Sequence, residues 1–223
     1  TPHQSSAASD VYKRQANIEL SDGANLSLDS GAGAGNITVV EIDGDSSETV
    51  TIDAGTGTTS VGAIGAGTEI GAVSIGSDEN GGITLNGAIT TTGVIDLDGP
   101  ITLAGATTLD SSGGNANIFF RHAVDGGQTL TVSSGSGAVD FAGIIGGTTA
   151  LGDTTINASG TGTIAIAAIG DANDVGAIVG TTAIGNTSTA GITFDGTIYK
   201  FGNPAGGSDT VTITATGTGQ VID

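Results

Sequence analysis

The sequence predicts an all-β protein, a right-handed parallel β-helix (β-solenoid) of roughly eight coils with 23–30 residues each. Three observations predict this fold. A short phrase recurs at that step, apolar residues alternate with polar ones inside the phrase, and glycine-rich corners separate the apolar runs.

The recurring phrase is an apolar-Thr-apolar triplet followed by a corner of small residues. It reads VTIDAGTG over residues 50–57 and LTVSSGSG over residues 130–137. Copies start near positions 26, 50, 73, 101, 130, 154, 181 and 211. A repeat of 20 to 50 residues is typical of stacked supersecondary units.

The triplets have the period of a half-buried strand. Residues 83–85 (ITL) and 95–97 (IDL) alternate apolar and polar side chains, and Ile, Val and Thr favour pleated surfaces. No stretch keeps a helical period, and no apolar run approaches the ~20 residues of a membrane helix. These patterns favour strands throughout.

Tight corners close each triplet. Asn86-Gly87 and Asp98-Gly99 are dipeptides that adopt the positive φ angles of a sharp turn. Antiparallel hairpins use the same dipeptides, so a meander is the alternative. The long period favours coils that stack in parallel at ~4.8 Å.

A longer repeat overlies the coil. Residues 50–75 match residues 130–156, and residues 154–198 match residues 50–89. The chain is therefore predicted to contain duplicated modules of two or more coils. We expect the aromatic side chains to fill wider parts of a narrow core: Phe119, Phe120, Phe141, Phe194, Tyr199 and Phe201.

Residues 1–15 differ from the rest and resemble a translated sequencing adapter, so we exclude them from the fold as a non-native or disordered segment. Residues 16–223 are expected to form one solenoid domain, a fragment of a longer protein from a metagenome. Neither residues 16–20 nor residues 220–223 have the polar character of a capping element, so we expect exposed ends.

Composition narrows the function classes. The chain has no Cys, which excludes disulfides and thiolate sites, and a formal charge of −19. Nucleic acids and anionic membranes require clustered Lys and Arg, so the acidic balance disfavours both. It allows divalent cations or basic partners.

Metal binding is the strongest chemical option. Glu41, Asp43, Asp45 and Glu48 place four acids in eight residues, and Asp171 and Asp174 lie in a similar turn. Ca²⁺ takes six to eight oxygen ligands from such loops. The alternative is a solvated acidic turn, since neither loop has a recognised ligand spacing.

Other reactive residues give no catalytic assignment. His122 is expected to be a strand residue at or near the surface, and Arg121 to pair with a nearby acid such as Asp125. Asp96 and Asp98 alternate on one strand and so share a face, as do Asp43 and Asp45. Paired carboxylates suit a carbohydrate-active enzyme, but the chain has no Trp and few cations to bind sugars.

Threonine arrays provide a third possibility. Regular Thr ladders on flat solenoid faces bind ice, and Thr also favours exposed strand positions for packing reasons. The arrays that could form such a ladder are Thr90-Thr91-Thr92, Thr148-Thr149, Thr154-Thr155 and Thr181-Thr182.

The segments 124–132 (VDGGQTLTV), 137–143 (GAVDFAG) and 146–151 (GGTTAL) resemble the strand repeats of large bacterial surface proteins. These repeats are similar to filamentous-haemagglutinin-type adhesins, which are right-handed parallel β-helices. The resemblance implies a non-catalytic spacer or adhesive stalk, exported to the bacterial cell surface. Its partners would be neighbouring repeats of the parent chain and a host-surface or extracellular polysaccharide.

Overall fold

The computed structural model describes residues 12–13, 17–76, 81–171, 178–202 and 209–215. Over these residues the regular structure is entirely β-strand, and all pairings are parallel within one sheet. The strands are β1 (Tyr12–Lys13), β2 (Ile18–Glu19), β3 (Leu26–Asp29), β4 (Ile37–Asp43), β5 (Thr49–Asp53), β6 (Thr58–Ile64), β7 (Ala72–Gly76), β8 (Gly82–Leu85), β9 (Ile89–Thr90), β10 (Ile95–Asp98), β11 (Ile101–Leu103), β12 (Thr107–Asp110), β13 (Ile118–Phe120), β14 (Val124–Asp125), β15 (Leu130–Ser133), β16 (Val139–Ile145), β17 (Thr154–Asn157), β18 (Thr163–Ile169), β19 (Thr182–Ile184), β20 (Gly191–Phe194) and β21 (Val211–Ile213).

The pairings form three ladders, which we name by the strands that build them. Face 1 contains β3, β5, β7, β10, β13, the start of β16, the start of β18, and β20. Face 2 contains β1, the starts of β4 and β6, β8, β11, β14, and the ends of β16 and β18. Face 3 contains β2, the ends of β4 and β6, β9, β12, β15, β17, β19 and β21. The chain visits the faces in the order 1, 2, 3, as a triangular β-solenoid does.

These ladders confirm the predicted parallel β-solenoid, whereas the right-handed sense stays a prediction. The fold has about six turns, slightly fewer than the roughly eight expected. We count as complete only turns with a neighbour on both sides on all three faces. The outermost copies of the phrase do not meet this condition, because β3 pairs only with β5 and β21 only with β19 among the described strands.

The duplicated modules occupy different faces. In the first copy β5 and β7 lie on face 1, and β6 between them spans faces 2 and 3. In the second copy β15 and β17 lie on face 3, and β16 spans faces 1 and 2. The module is thus repeated after a rotation by one face, which the sequence alignment could not show because the three faces have the same alternating chemistry.

The core is a set of aliphatic ladders with few aromatic side chains. Along face 1 the inward residues are in register and almost all are buried: Leu26, Val50, Val73, Ile95, Ile118, Val139, Ile164 and Ile192. Burial of such side chains contributes roughly 1.5–3 kcal/mol each and is the main source of stability.

The aromatic prediction is confirmed in part. Phe120 and Phe141 are buried and stacked, with ring centroids 4.0 Å apart. Phe119 is wrong as a core residue, because it alternates with Ile118 and Phe120 and therefore points outward.

The excluded N-terminal segment contributes backbone pairing. Tyr12–Lys13 pairs in parallel with Ile37 and Thr38 of β4. The adapter origin of residues 1–15 stays a prediction.

Candidate functional site

The acidic corner, residues 41–48, connects β4 to β5 where the chain passes from face 3 back to face 1. Glu48 lies inside the corner with none of its surface exposed. Its Oε2 accepts the N–H of Asp45 at 2.6 Å and the N–H of Ser47 at 3.3 Å. Its Oε1 accepts the N–H of Gly23 in the preceding turn at 3.3 Å and the hydroxyl of Ser47 at 3.2 Å.

These hydrogen-bond donors favour the ionised form of Glu48. The Asp45 N–H, followed by the other backbone N–H groups, lowers the pKa of Glu48 and outweighs the opposing effect of burial. Glu48 is therefore an anionic anchor that holds its own corner and the turn before it.

The other predicted metal ligands of this corner do not lie together in the structure. Asp43, only 9 % exposed, accepts the N–H of Gly67 at 2.8 Å and thereby anchors the next turn. Glu41 is half-buried on the strand, and Asp45 is exposed in the corner. The expectation that Asp43 and Asp45 share a strand face is wrong, because β4 ends at Asp43.

A different trio of acids comes together. Ligand oxygens of Asp22, Asp45 and Glu48 all lie within 4.8 Å of one another. Asp22 was not predicted, since it belongs to the preceding turn and only stacking brings it close. Glu48 already accepts four hydrogen bonds, so Asp22 and Asp45 offer the remaining oxygens. A Ca²⁺ ion here would have to complete its six to eight ligands largely with water.

The second predicted metal loop cannot be compared in the same way. Asp171 is half-buried at the end of the described stretch 81–171, and Asp174 lies outside the described residues. Two further acids of the sequence, Asp78 and Glu79, also lie outside the described residues.

Anchoring of neighbouring turns is a general task of the polar corner side chains. The carboxylate of Asp125 accepts the N–H groups of Thr148 and Thr149, and Asp153 accepts that of Thr181. Asn25 accepts the N–H of Thr49 in the same manner. Each bond joins one turn to the next, so many acids of this chain satisfy corner backbone groups that the strand ladders leave unpaired.

The cluster around Arg121 and His122 is built across turns. Arg121 donates two hydrogen bonds of 2.7 Å to Asp96, and its guanidinium lies 5.1 Å from the centroid of Phe119. Hydrogen bonding to Asp96 raises the pKa of Arg121. The predicted pairing with Asp125 is wrong, because Asp125 faces the Thr148 corner, whereas Asp96 lies directly opposite Phe119 in the preceding turn.

His122 lies within 3.2 Å of Asp98 and is about one-third exposed, so its surface position is confirmed. Its expected place on a strand is wrong, because β13 ends at Phe120 and His122 lies in the bend before β14. Asp96 and Asp98 both point outward, as the alternation predicted. Together the side chains of Arg121, His122, Asp96 and Asp98 form an exposed cluster that links two turns.

The predicted threonine arrays do not lie on one surface. Thr91, Thr154 and Thr182 are buried, and the first two donate their hydroxyls to backbone carbonyls. An outward row exists on face 3, in register from turn to turn, and only its Thr155 belongs to a predicted array: Thr108, Thr131, Thr155, Ala183 and Thr212. The central Thr of the recurring triplet is the sequence pattern that corresponds to this row.

Among the described residues there is no helix with the length and apolarity needed to cross a bilayer. Comparisons with known proteins found no family model, no curated protein and no solved structure that matches this chain.

Proposed function

We propose that this chain is a non-catalytic structural spacer, a stalk segment of an exported bacterial cell-surface protein. The observation that carries the proposal is the continuity of the three ladders from the first described turns to the last. Each turn contacts its neighbours, so length grows with turn number at little cost in sequence design.

Use of the polar side chains supports the same role. Glu48, Asp43, Asp125 and Asp153 are engaged in holding corners together. Arg121, a cation on which a carbohydrate-active enzyme could rely, is held by Asp96. Neighbouring repeats of the parent chain are the proposed partners, and an extracellular polysaccharide is the ligand class for an adhesive role.

The spacer proposal predicts that one turn can be removed without loss of the fold. Val139 and Ile164 are in register on adjacent turns, so deletion of residues 139–163 joins equivalent positions. We expect the shortened chain to fold and its long dimension in small-angle scattering to fall by about 4.8 Å.

A deletion of residues 139–150 is the matched control, because it removes about half a turn and destroys the register. The proposal is overturned if the 139–163 deletion unfolds the chain as the control deletion does. Recovery of the parent gene tests the cell-surface setting, since a secretion signal and further repeats are expected beside this segment.

The Thr row on face 3 favours ice binding as a second candidate. Hydroxyl and methyl groups of this row repeat at ~4.8 Å from turn to turn, with the hydroxyl missing at Ala183. Inhibition of ice recrystallisation that Thr131→Lys and Thr155→Lys abolish, while Thr102→Lys on face 2 does not, would support it. Equal behaviour of all three variants would exclude it.

A further inference from the structure

Face 1 carries an open hollow with further strands of its ladder on both sides, β3 before it and β13 after it. The hollow has a volume of about 370 Å³ and lies on the outward surface of β5, β7 and β10. Six of the residues that line it form two outward rows, two positions apart on each strand: Thr49, Ala72 and Val94 in one row, and Thr51, Ser74 and Asp96 in the other. The hollow therefore runs along the solenoid axis across three successive turns.

The two rows differ in chemistry. Ala72 and Val94 contribute methyl groups to one wall, and Val94 is unusually exposed for an aliphatic residue of this chain, at 37 %. Thr51, Ser74 and Asp96 contribute two hydroxyls and a carboxylate to the other wall. A ligand that fits both walls has an apolar side and a polar side.

The turn after the hollow adds hydrogen-bond donors to the polar wall. Arg121 uses two of its five N–H donors to bind Asp96, and its guanidinium lies against the ring of Phe119. The side chains of Arg121 and Asp96 are 47 % and 27 % exposed. The remaining N–H groups, and the second lone pair of each carboxylate oxygen, are thus available to a ligand in a geometry that is already held in place.

The charges around the hollow favour a neutral ligand. Among the described residues that line the hollow, Asp96 is the charged one, and Arg121 compensates its charge. An anion would be repelled by Asp98 and Asp140, which lie close enough to interact electrostatically with Arg121, and by the net charge of −19. A cation would be repelled by Arg121 itself.

An uncharged hydrocarbon also fits poorly. It would cover Asp96, Arg121 and the hydroxyls without replacing their hydrogen bonds to water, which costs free energy. A carbohydrate meets both requirements, because its hydroxyls donate to a carboxylate and accept from a guanidinium, while its C–H groups contact methyl groups. The volume lies within the range of small-molecule sites, roughly 300–1,000 Å³.

We propose that face 1 binds a neutral polysaccharide along the hollow between these two rows, with sugar hydroxyls on the Arg121–Asp96 pair. This inference rests on the adhesive role named above and deepens it, since it specifies the surface and the ligand class. The open hollow admits a chain that is longer than the hollow itself.

Affinity electrophoresis in native gels tests the proposal, because a net charge of −19 gives the chain a high mobility in a gel without polysaccharide. The neutral probes are soluble mixed-linkage glucan, xylan and galactomannan, and the anionic probe is alginate. We expect at least one neutral probe to retard the chain and alginate not to retard it. Titration calorimetry with oligosaccharides of the retarding probe then measures Kd.

Three variants locate the site. Ser74→Lys places a long side chain in the hollow, and Thr102→Lys is the matched control, because it makes the same charge change at an exposed outward position of face 2. Each variant is compared with its own mobility in the gel without polysaccharide. We expect Ser74→Lys to raise Kd at least about tenfold and Thr102→Lys to leave it unchanged.

Asp96→Asn keeps the shape of the side chain but removes the charge that holds Arg121. We expect it to raise Kd about tenfold, as loss of a hydrogen bond to a charged group does. Melting temperatures of all three variants show whether each change in binding occurs in a folded chain.

The proposal is overturned if no neutral probe retards the unmodified chain, or if Ser74→Lys and Thr102→Lys bind alike. Equal retardation by alginate also overturns it, because the charges around the hollow would then not select the ligand. The spacer proposal survives each of these results, since it depends on the tolerance of turn deletion. Failure of the 139–163 deletion would in turn leave the binding measured for the unmodified chain unaffected.

Discussion

Individual carboxylates stabilise the corners of this chain by accepting hydrogen bonds. Glu48 is the clearest case, since it is buried and accepts hydrogen bonds from three backbone N–H groups and one hydroxyl. Hydrogen bonds to an ionised acceptor are stronger than those between neutral groups. The charge of Glu48 is therefore part of the fold.

Acidification should destabilise the chain through Glu48. Its folded-state pKa lies below its unfolded value, so its stabilising contribution is present above the unfolded pKa and is lost as pH falls through the folded one. We expect Glu48→Gln to lower the melting temperature at pH 7 and to flatten its decrease below about pH 4.5.

Glu41→Gln is the matched control for this prediction. It removes the same charge from a half-buried strand position without removing a corner acceptor. Its melting temperature at pH 7 should equal or exceed that of the unmodified chain. Equal melting curves for Glu41→Gln and Glu48→Gln would contradict the anchoring role.

Glycine is required where turns approach closely. A Cβ at Gly62 would collide with the backbone carbonyl of Val40 in the turn before, whereas a Cβ at Gly33 would meet nothing within 4 Å. We expect Gly62→Ala to destabilise the chain by more than 2 kcal/mol, on the order of an overpacked site, and Gly33→Ala to be neutral or slightly stabilising. Thermal and urea denaturation of both variants provides the measurement, and similar stabilities would refute the explanation.

At the scale of the strand, the buried hydroxyls of the inward ladders differ in whether a carbonyl is within reach. Thr107 and Thr154 are buried and donate to the carbonyls of Gly105 and Gly152 at 3.0 and 3.1 Å. Thr59 and Thr182 are equally buried, but their hydroxyls have no hydrogen-bond partner. An unsatisfied buried hydroxyl costs free energy.

Replacement of Thr182 by Val should therefore stabilise the fold by about 1 kcal/mol, because it removes an unsatisfied group at nearly constant volume. Thr154→Val, one rung away on the same ladder, should destabilise it by a similar amount through loss of the bond to Gly152. Chemical denaturation of the Thr182→Val and Thr154→Val variants measures the sign of each change in the free energy of unfolding. Two changes of the same sign would show that local packing, not hydroxyl satisfaction, decides.

The whole molecule carries its charge on a narrow rod. Strands stacked at ~4.8 Å bring acids of successive turns close together, and Asp22 beside Asp45 is one such pair. Two carboxylates ~5 Å apart repel by about 1 kcal/mol even in water. Salt should raise the melting temperature for this reason alone.

Calcium binding stays a prediction; among the described acids, oxygens of Asp22, Asp45 and Glu48 lie within 4.8 Å of one another. A site that binds the folded form would add about 2.7 kcal/mol at a hundredfold excess of ion over Kd. We expect millimolar CaCl₂ to raise the melting temperature more than NaCl at equal ionic strength, and Asp45→Asn to remove the excess. If NaCl reproduces the whole shift, these acids are corner anchors and solvated surface only.

The sequence by itself determined the fold class. The apolar-Thr-apolar triplet specifies a strand with one buried face, and its recurrence every 23–30 residues specifies parallel stacking. Both are local or periodic properties, so one chain suffices to see them. The outward position of Asp96 and Asp98 follows from the same alternation.

Only the tertiary structure decided which residues meet across turns. The pairing of Arg121 with Asp96, the approach of Asp22 to Asp45 and the burial of Thr154 all depend on which face a strand occupies. Three faces with the same alternating pattern cannot be told apart in the sequence, because period-two chemistry carries no information about rotation around the axis. The register between turns in the folded chain decides which residues meet. This register is strictly held, because a shift by one residue would expose the core ladder and bury its polar neighbours.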